Sequence, residues 1–130
     1  MRETAKRSTT VTLDSPFIDA RGVIQPLLGL QVQDVALITS KKGAVRANHY
    51  HKTDWHYCYV LYGRLEYLHR PVGSKQPPEV QIISAGQLFY TPAMLEHAMR
   101  FLEDTQFIVM SGNPRDQQTY ESDIVRVQLA

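Results

Sequence analysis

Apolar and polar residues alternate along most of this chain in short runs, the period-two signature of half-buried β-strands. Such runs lie at Thr9–Leu13, Val23–Leu28, Val35–Thr39, Val45–His51, His56–Tyr62, Val80–Ile83, Leu88–Tyr90, Phe107–Met110 and Ile124–Leu129. All are rich in β-branched or aromatic residues. Turn chemistry separates them, at Asp14-Ser15-Pro16, Arg21-Gly22, Lys42-Gly43, Tyr62-Gly63, Pro77-Pro78, Ala85-Gly86 and Gly112-Asn113-Pro114. No window sustains a helical period. Ala93–Leu102 comes nearest and is read as a turn followed by a strand. The polar stretch Gly112–Asp123 is read as a loop before the last strand. Evenly spaced short strands with turn signals predict an all-β sandwich or barrel.

At 130 residues the chain fits one domain, residues 1–130, whose single core buries roughly two-thirds of the unfolded surface. Residues 1–8 are read as a frayed end. The 14 basic and 13 acidic residues nearly cancel, and no basic patch stands out, so neither nucleic acid nor a membrane surface is an expected partner. Cys58 is the one cysteine, which excludes an internal disulfide and favours a cytoplasmic location. No apolar run approaches the roughly 20 residues of a membrane span.

The histidines change the picture. His49 and His51 stand two apart on a predicted strand, so both rings face one way. Lys52–Trp55 then makes a hairpin connection, and His56 opens the next strand beside the pair. The same parity puts Cys58, Val60 and Tyr62 on the His56 face. Trp55, Tyr57 and Tyr59 face outward. Neutral imidazole is a common ligand of Zn, Cu, Fe and Ni. His69 lacks such company and is assigned to the surface.

Gly43, His49-x-His51, His56 and Gly63 together resemble the first sequence motif of the cupins, over residues 43–63. Gly86, Pro92 and His97 resemble the second, over residues 86–101. The resemblance implies the cupin double-stranded β-helix, a jelly-roll barrel. It also implies one divalent metal ion on His49, His51, His56 and His97. His56 stands where cupins usually have Glu, Met94 where they have Gly, and Phe101 where they have Asn. A four-histidine site is neutral, which favours Zn, Ni or Fe over hard Mn. The other two exchanges imply a more apolar pocket. Cupins of this size often pair through an outer sheet, so a homodimer is expected through the Trp55, Tyr57, Tyr59 row.

Arg46-Ala47-Asn48-His49-Tyr50-His51-Lys52 is similar to stretches in cupins of nucleotide-sugar pathways, including capsular-polysaccharide reductases and dTDP-sugar 3,4-ketoisomerases. The latter use their histidines without metal. Asp19-Ala20-Arg21-Gly22 resembles a turn shared with dTDP-4-dehydrorhamnose 3,5-epimerases. The implied ligand is a sugar nucleotide. The implied chemistry is isomerisation or epimerisation of a nucleotide-linked keto-sugar, through proton transfer beside a carbonyl. His49 or His51 would be the base, since a pKa near 6.5 suits proton transfer at neutral pH. Tyr62, which alone has parity support, or Tyr90 would be the partner acid. Four metal-bound histidines would leave no free base, so the two roles compete. An Fe-dependent cupin dioxygenase and a non-catalytic small-molecule-binding cupin are the alternatives. Arg46 and Arg100 are candidate phosphate holders, although parity turns Arg46 from the histidine face. Cys58 is read as a small buried hydrophobe.

Overall fold

A computed structural model describes residues 9–130; the expected frayed end lies outside the described residues. The alternating runs become strands of two facing antiparallel sheets. The first sheet contains β1 (Thr10–Val11), β4 (Asp34–Ser40), β6 (His56–Tyr62), β9 (Leu88–Thr91) and β11 (Thr105–Ser111). Its strand order is β1-β9-β6-β11-β4. The second contains β5 (Val45–His51), β7 (Arg64–Pro71), β8 (Glu79–Ser84), β10 (Leu95–Phe101) and β12 (Ile124–Arg126). Its order is β12-β5-β10-β7-β8. This is the all-β jelly-roll barrel expected from the sequence.

The core lies between the sheets. Cys58, Val60, Leu65, Tyr67, Ile83, Phe89, Phe101, Phe107 and Val109 form one buried cluster. Each large apolar side chain among them contributes about 1.5–3 kcal/mol by leaving water. The inward parity read for His56, Cys58 and Val60 holds, since all three are buried while Tyr57 and Tyr59 are half-buried.

Several elements differ from expectation, and β2 (Phe17–Asp19) and β7 lie where no strand was expected. Val23–Leu28 contributes only β3 (Gly22–Ile24), paired with β2 in a separate ribbon. Pro26 follows two residues later and has no N–H for a ladder. The expected last strand shortens to Ile124–Arg126. The expected loop before it contains a short helix, α1 (Gln117–Asp123), whose N-cap Asp116 accepts a hydrogen bond from the Thr119 N–H. No helix of the described residues is long and apolar enough to cross a membrane.

Two irregularities in strand pairing matter for the site. Between β6 and β11, Val60 pairs with Phe107 and Tyr62 with Gln106, so Leu61 is an extra residue. Between β5 and β10, His49 pairs with His97 and Ala47 with Ala98, so Asn48 is extra. A bulge of this kind bends its strand and re-aims side chains. Ala47 and Asn48 both take positive φ, at 71° and 56°. Asn tolerates that conformation through local hydrogen bonding. Here the Asn48 Oδ1 accepts from the backbone N–H groups of Leu129 and Ala130, each at 3.0 Å.

Candidate active site

The bulge at Asn48 is followed at once by His49-Tyr50-His51, with both imidazoles buried inside the barrel. The hairpin to β6 returns His56 beside them, and β10 supplies His97 as the cross-strand partner of His49. Ring centroids are 4.8 Å apart for His49–His51, 4.9 Å for His49–His97 and 4.5 Å for His51–His56. One nitrogen each from His49, His51 and His97 forms a group within 4.8 Å. His51, His56 and Asp54 form an adjoining group on the same criterion. The four sequence-predicted histidines therefore meet, but as two overlapping sets sharing His51.

Hydrogen bonds define which nitrogen of each ring is free. Asp123 Oδ2 lies 3.2 Å from His51 Nδ1. An ionised carboxylate only accepts, so Nδ1 carries the proton and Nε2 keeps a lone pair. That Nε2 is buried without a hydrogen-bond partner among the described residues. His97 Nδ1 donates to the Leu95 carbonyl at 2.9 Å, which likewise leaves Nε2 bare. His56 Nε2 donates to Asp54 Oδ2 at 3.2 Å, which leaves Nδ1 bare.

Both aspartates are themselves held. Asp123 accepts from Thr53 N–H at 2.8 Å, Thr53 hydroxyl at 2.7 Å and Asp54 N–H at 3.1 Å. Asp54 Oδ1 accepts from the N–H groups of Trp55 and Asn113, at 2.8 and 2.9 Å. Burial alone would raise both carboxyl pKa values. For Asp54 the hydrogen bond and electrostatic attraction of His56 outweigh burial, and for Asp123 the bonds from Thr53, Asp54 and His51 do. Both are held below the usual carboxylate range.

The rings are driven the other way. Burial, then repulsion from His51 and His56, pushes His49 down to about 3. Burial and His56 push His51 down to about 4, against the pull of Asp54 and Asp123. Burial, then His49, holds His97 well below its ordinary value. At neutral pH these three rings are neutral, the state required of a metal ligand or a general base.

Other expectations need correction. Tyr62 is 47% exposed at the far end of β6 from His56, about 20 Å along the strand at 3.3 Å per residue. The bulge at Leu61 breaks the parity that pointed it inward, so it is not brought to the cluster. Tyr90 stacks on Tyr57, with centroids 4.6 Å apart, outside the cluster. His69, assigned to the surface, is only 7% exposed. It is the cross-strand partner of His97, a relation that sequence spacing does not display. The pocket is apolar in part, through Ile38, Cys58, Phe107 and Val109, and not through the residues expected. Met94 is exposed and Phe101 belongs to the core, so neither exchanged residue lines the cavity, although the nearby Met99 does. Cys58 is buried, and burial pushes its thiol up to about 12. Arg100 pairs with Glu66 at 3.1 Å.

The sequence reading missed Asp54, Asp123, Tyr120 and Arg115. The one available signal was α1 itself, since Asp116-x-x-Thr119 begins a helix that ends at Asp123. Tyr120 on α1 lies 6.2 Å from His49 and 5.9 Å from His51, centroid to centroid. The Arg115 guanidinium sits 4.9 Å above the Tyr120 ring. Burial raises the pKa of Tyr120, so it remains a phenol at neutral pH. A cavity of about 120 Å³ is lined by His49, His56, Met99, Arg46, Arg115 and Tyr120, among others. Arg46 is exposed, as expected, yet borders this cavity while donating to the Ser40 hydroxyl at 2.7 Å. The arrangement can hold a metal on three neutral nitrogens, move a proton through a carboxylate-backed histidine, and meet an anion at its rim.

The profile described as "Cupin domain" matches residues 36–112. No curated protein sequence matches the chain. Among solved structures, a double mutant of the QdtA 3,4-ketoisomerase from Thermoanaerobacterium thermosaccharolyticum, in complex with TDP, aligns with a TM-score of 0.68 at 21% identity. The alignment covers 86% of this chain and 82% of that one. A second QdtA mutant, in complex with TDP-4-keto-6-deoxyglucose, aligns at 20% identity with a TM-score of 0.65 over the same shares. The rmlC epimerase of Mycobacterium tuberculosis aligns at 16% identity with a TM-score of 0.68, over 84% of this chain and 64% of that one. The capsular polysaccharide assembling protein CapF from Staphylococcus aureus aligns at 19% identity with a TM-score of 0.67. There the alignment takes in 90% of this chain but only 34% of CapF. At such identities the likeness establishes the fold.

Proposed function

The chain belongs to the cupin domain family, and from that premise we propose that it moves a proton beside the carbonyl of a nucleotide-linked keto-sugar, as an isomerase or epimerase. The observation that carries this reading is the pair of carboxylate-held histidines, His51–Asp123 and His56–Asp54. Each has one nitrogen locked as a donor to an aspartate and the other left available, either to hold an ion or to accept a proton. The likeness to structures that hold TDP and TDP-4-keto-6-deoxyglucose supports the substrate class.

A divalent ion, Zn, Ni or Fe by donor chemistry, would be held by His49, His51 and His97. The buried, unpartnered Nε2 of His51 fits that role. The ion, when bound, supplies polarisation of the substrate carbonyl. His56, expected as a fourth ligand, then takes the part of base. Its free Nδ1 accepts the α-proton, and Asp54 stabilises the imidazolium that results. This division resolves the competition between ligand and base. The Tyr120 phenol is the partner acid in place of Tyr62. Arg46 and Arg115 at the cavity rim would meet the diphosphate.

Calorimetric titration with TDP tests the nucleotide half of the reading. Saturable binding lost in Arg115→Ala is the expected result, and no binding by the wild-type protein would count against it. Elemental analysis of untagged protein tests the metal. Three histidines also leave positions open on an octahedral ion. Iron with substrate-dependent oxygen uptake would favour the dioxygenase reading instead.

A further inference from the structure

The edge strands β1 and β8 of the two sheets are bridged by hydrogen bonds of Gln81 with Thr9 and Thr10. A cleft of about 610 Å³ opens there, within the size range of small-molecule sites. It shares no lining residue with the cavity at the histidine cluster. Its walls are apolar and in part flat, from Val11, Tyr90, Pro71, Pro92 and Leu95. One polar side chain, His69, belongs to the interior, only 7% exposed. Its ring is backed by Tyr67, with centroids 5.1 Å apart and planes at 28°. Among the described residues neither nitrogen of His69 makes a hydrogen bond. The ring's cross-strand partner on β8 is Glu79, which acts on it electrostatically, and with no hydrogen bond of its own the imidazole is able to donate to or accept from a ligand in the cleft.

Charge narrows the occupant. Arg70 lines the cleft, but its guanidinium is committed to Glu96 at 3.0 Å and to the Gln76 carbonyl at 3.1 Å. Glu79 on β8 also lines the cleft, directly across the ladder from His69, where its charge acts on that ring. Anions are therefore disfavoured, which separates this cleft from the arginine-rimmed cavity. We infer that the seam cleft is a second small-molecule site, which takes an uncharged aromatic compound with one hydrogen-bonding group directed at His69. The flat proline and tyrosine walls hold the ring, and neutral imidazole can either donate to or accept from its polar group.

Nuclear magnetic resonance titration of the full chain with p-cresol, and in parallel with benzoate as an anion of similar size, tests the inference. Methyl signals of Val11 and Leu95 and the ring signals of His69 should shift saturably with p-cresol, with a Kd of about 1 mM or tighter. Benzoate should bind at least about tenfold more weakly, a difference of roughly one factor of ten in equilibrium constant. Leu95→Trp, which fills the cleft, should abolish the p-cresol shifts. His69→Phe should weaken them about two- to tenfold through the lost hydrogen bond. No saturable shift at these residues, equal binding of benzoate, shifts confined to His49 and His97, or unchanged binding in Leu95→Trp would each overturn it.

Discussion

Asp123 Oδ2 stands 3.2 Å from Nδ1 of His51, and the same carboxylate accepts three further hydrogen bonds from Thr53 and Asp54. One residue at the end of α1 therefore both pins the β5–β6 hairpin and sets the tautomer of a site histidine. Removing an outer partner of this kind typically lowers metal affinity 10–100-fold. Asp123→Asn keeps the size but loses the charge. It should weaken zinc binding by about that factor, measured by competition with a chelator. Asp123→Ala should also cost about 1–3 kcal/mol of stability, because buried donors lose their acceptor.

The pH dependence of stability follows from the depressed histidines. In the unfolded chain each takes a proton near pH 6.5. In the folded, metal-free protein His51 holds out to about 4 and His49 to about 3. The unfolded state thus binds more protons below pH 6.5, so stability falls with pH across that window. It is fully present above pH 6.5 and is lost as pH falls through about 4 and then 3. Urea midpoints of metal-free protein should be level between pH 8 and 7 and drop steadily from 6 to 4.5. A flat profile to pH 4.5 would contradict buried neutral rings.

Two residues of left-handed backbone make predictions of opposite sign. Met94 has φ 63°, a conformation that costs a side chain about 1 kcal/mol and glycine little. Met94→Gly should raise the thermal midpoint. Gly63 has φ 95°, and a Cβ there would collide with Thr105 Oγ1 and with the Asp104 carbonyl. Gly63→Ala should cost about 2–3 kcal/mol, read from denaturant midpoints.

Phe17, Ile18, Val23 and Ile24 are all exposed on the β2–β3 ribbon. A two-stranded ribbon is marginal in water by itself, and large exposed apolar patches mark contact surfaces. The expected homodimer should use this ribbon more than the Trp55, Tyr57, Tyr59 row, where Trp55 already packs on Tyr57 and Tyr57 on Tyr90. Sedimentation should show a species near twice the 14.9 kDa chain. Ile18→Asp should shift it to monomer. A wild-type monomer at high micromolar concentration would end the idea.

The barrel was legible because most of its strands alternate and its turns carry glycine and proline; β7 was not, because Tyr67, Leu68 and His69 are buried in succession and break the period. His49, His51 and His56 were legible because strand parity and hairpin length are local. His69 was misread because its company, His97, lies across a ladder from a distant strand. Tyr62 was misread because a single inserted residue, Leu61, cancels parity beyond it, and a bulge leaves no mark in composition. Asp123 and Tyr120 were hidden in a polar stretch whose helix is too short to show a period.

The central claim is that His56, held by Asp54, transfers a proton beside a sugar carbonyl. It is tested most directly by incubating TDP-4-keto-6-deoxyglucose with the protein in heavy water and following deuterium at the carbon next to the carbonyl. The wild-type protein should incorporate deuterium, and His56→Ala should slow exchange by about 10²-fold or more while still binding TDP. Absence of exchange by wild-type protein shown to bind TDP, or exchange undiminished in His56→Ala, would contradict the account.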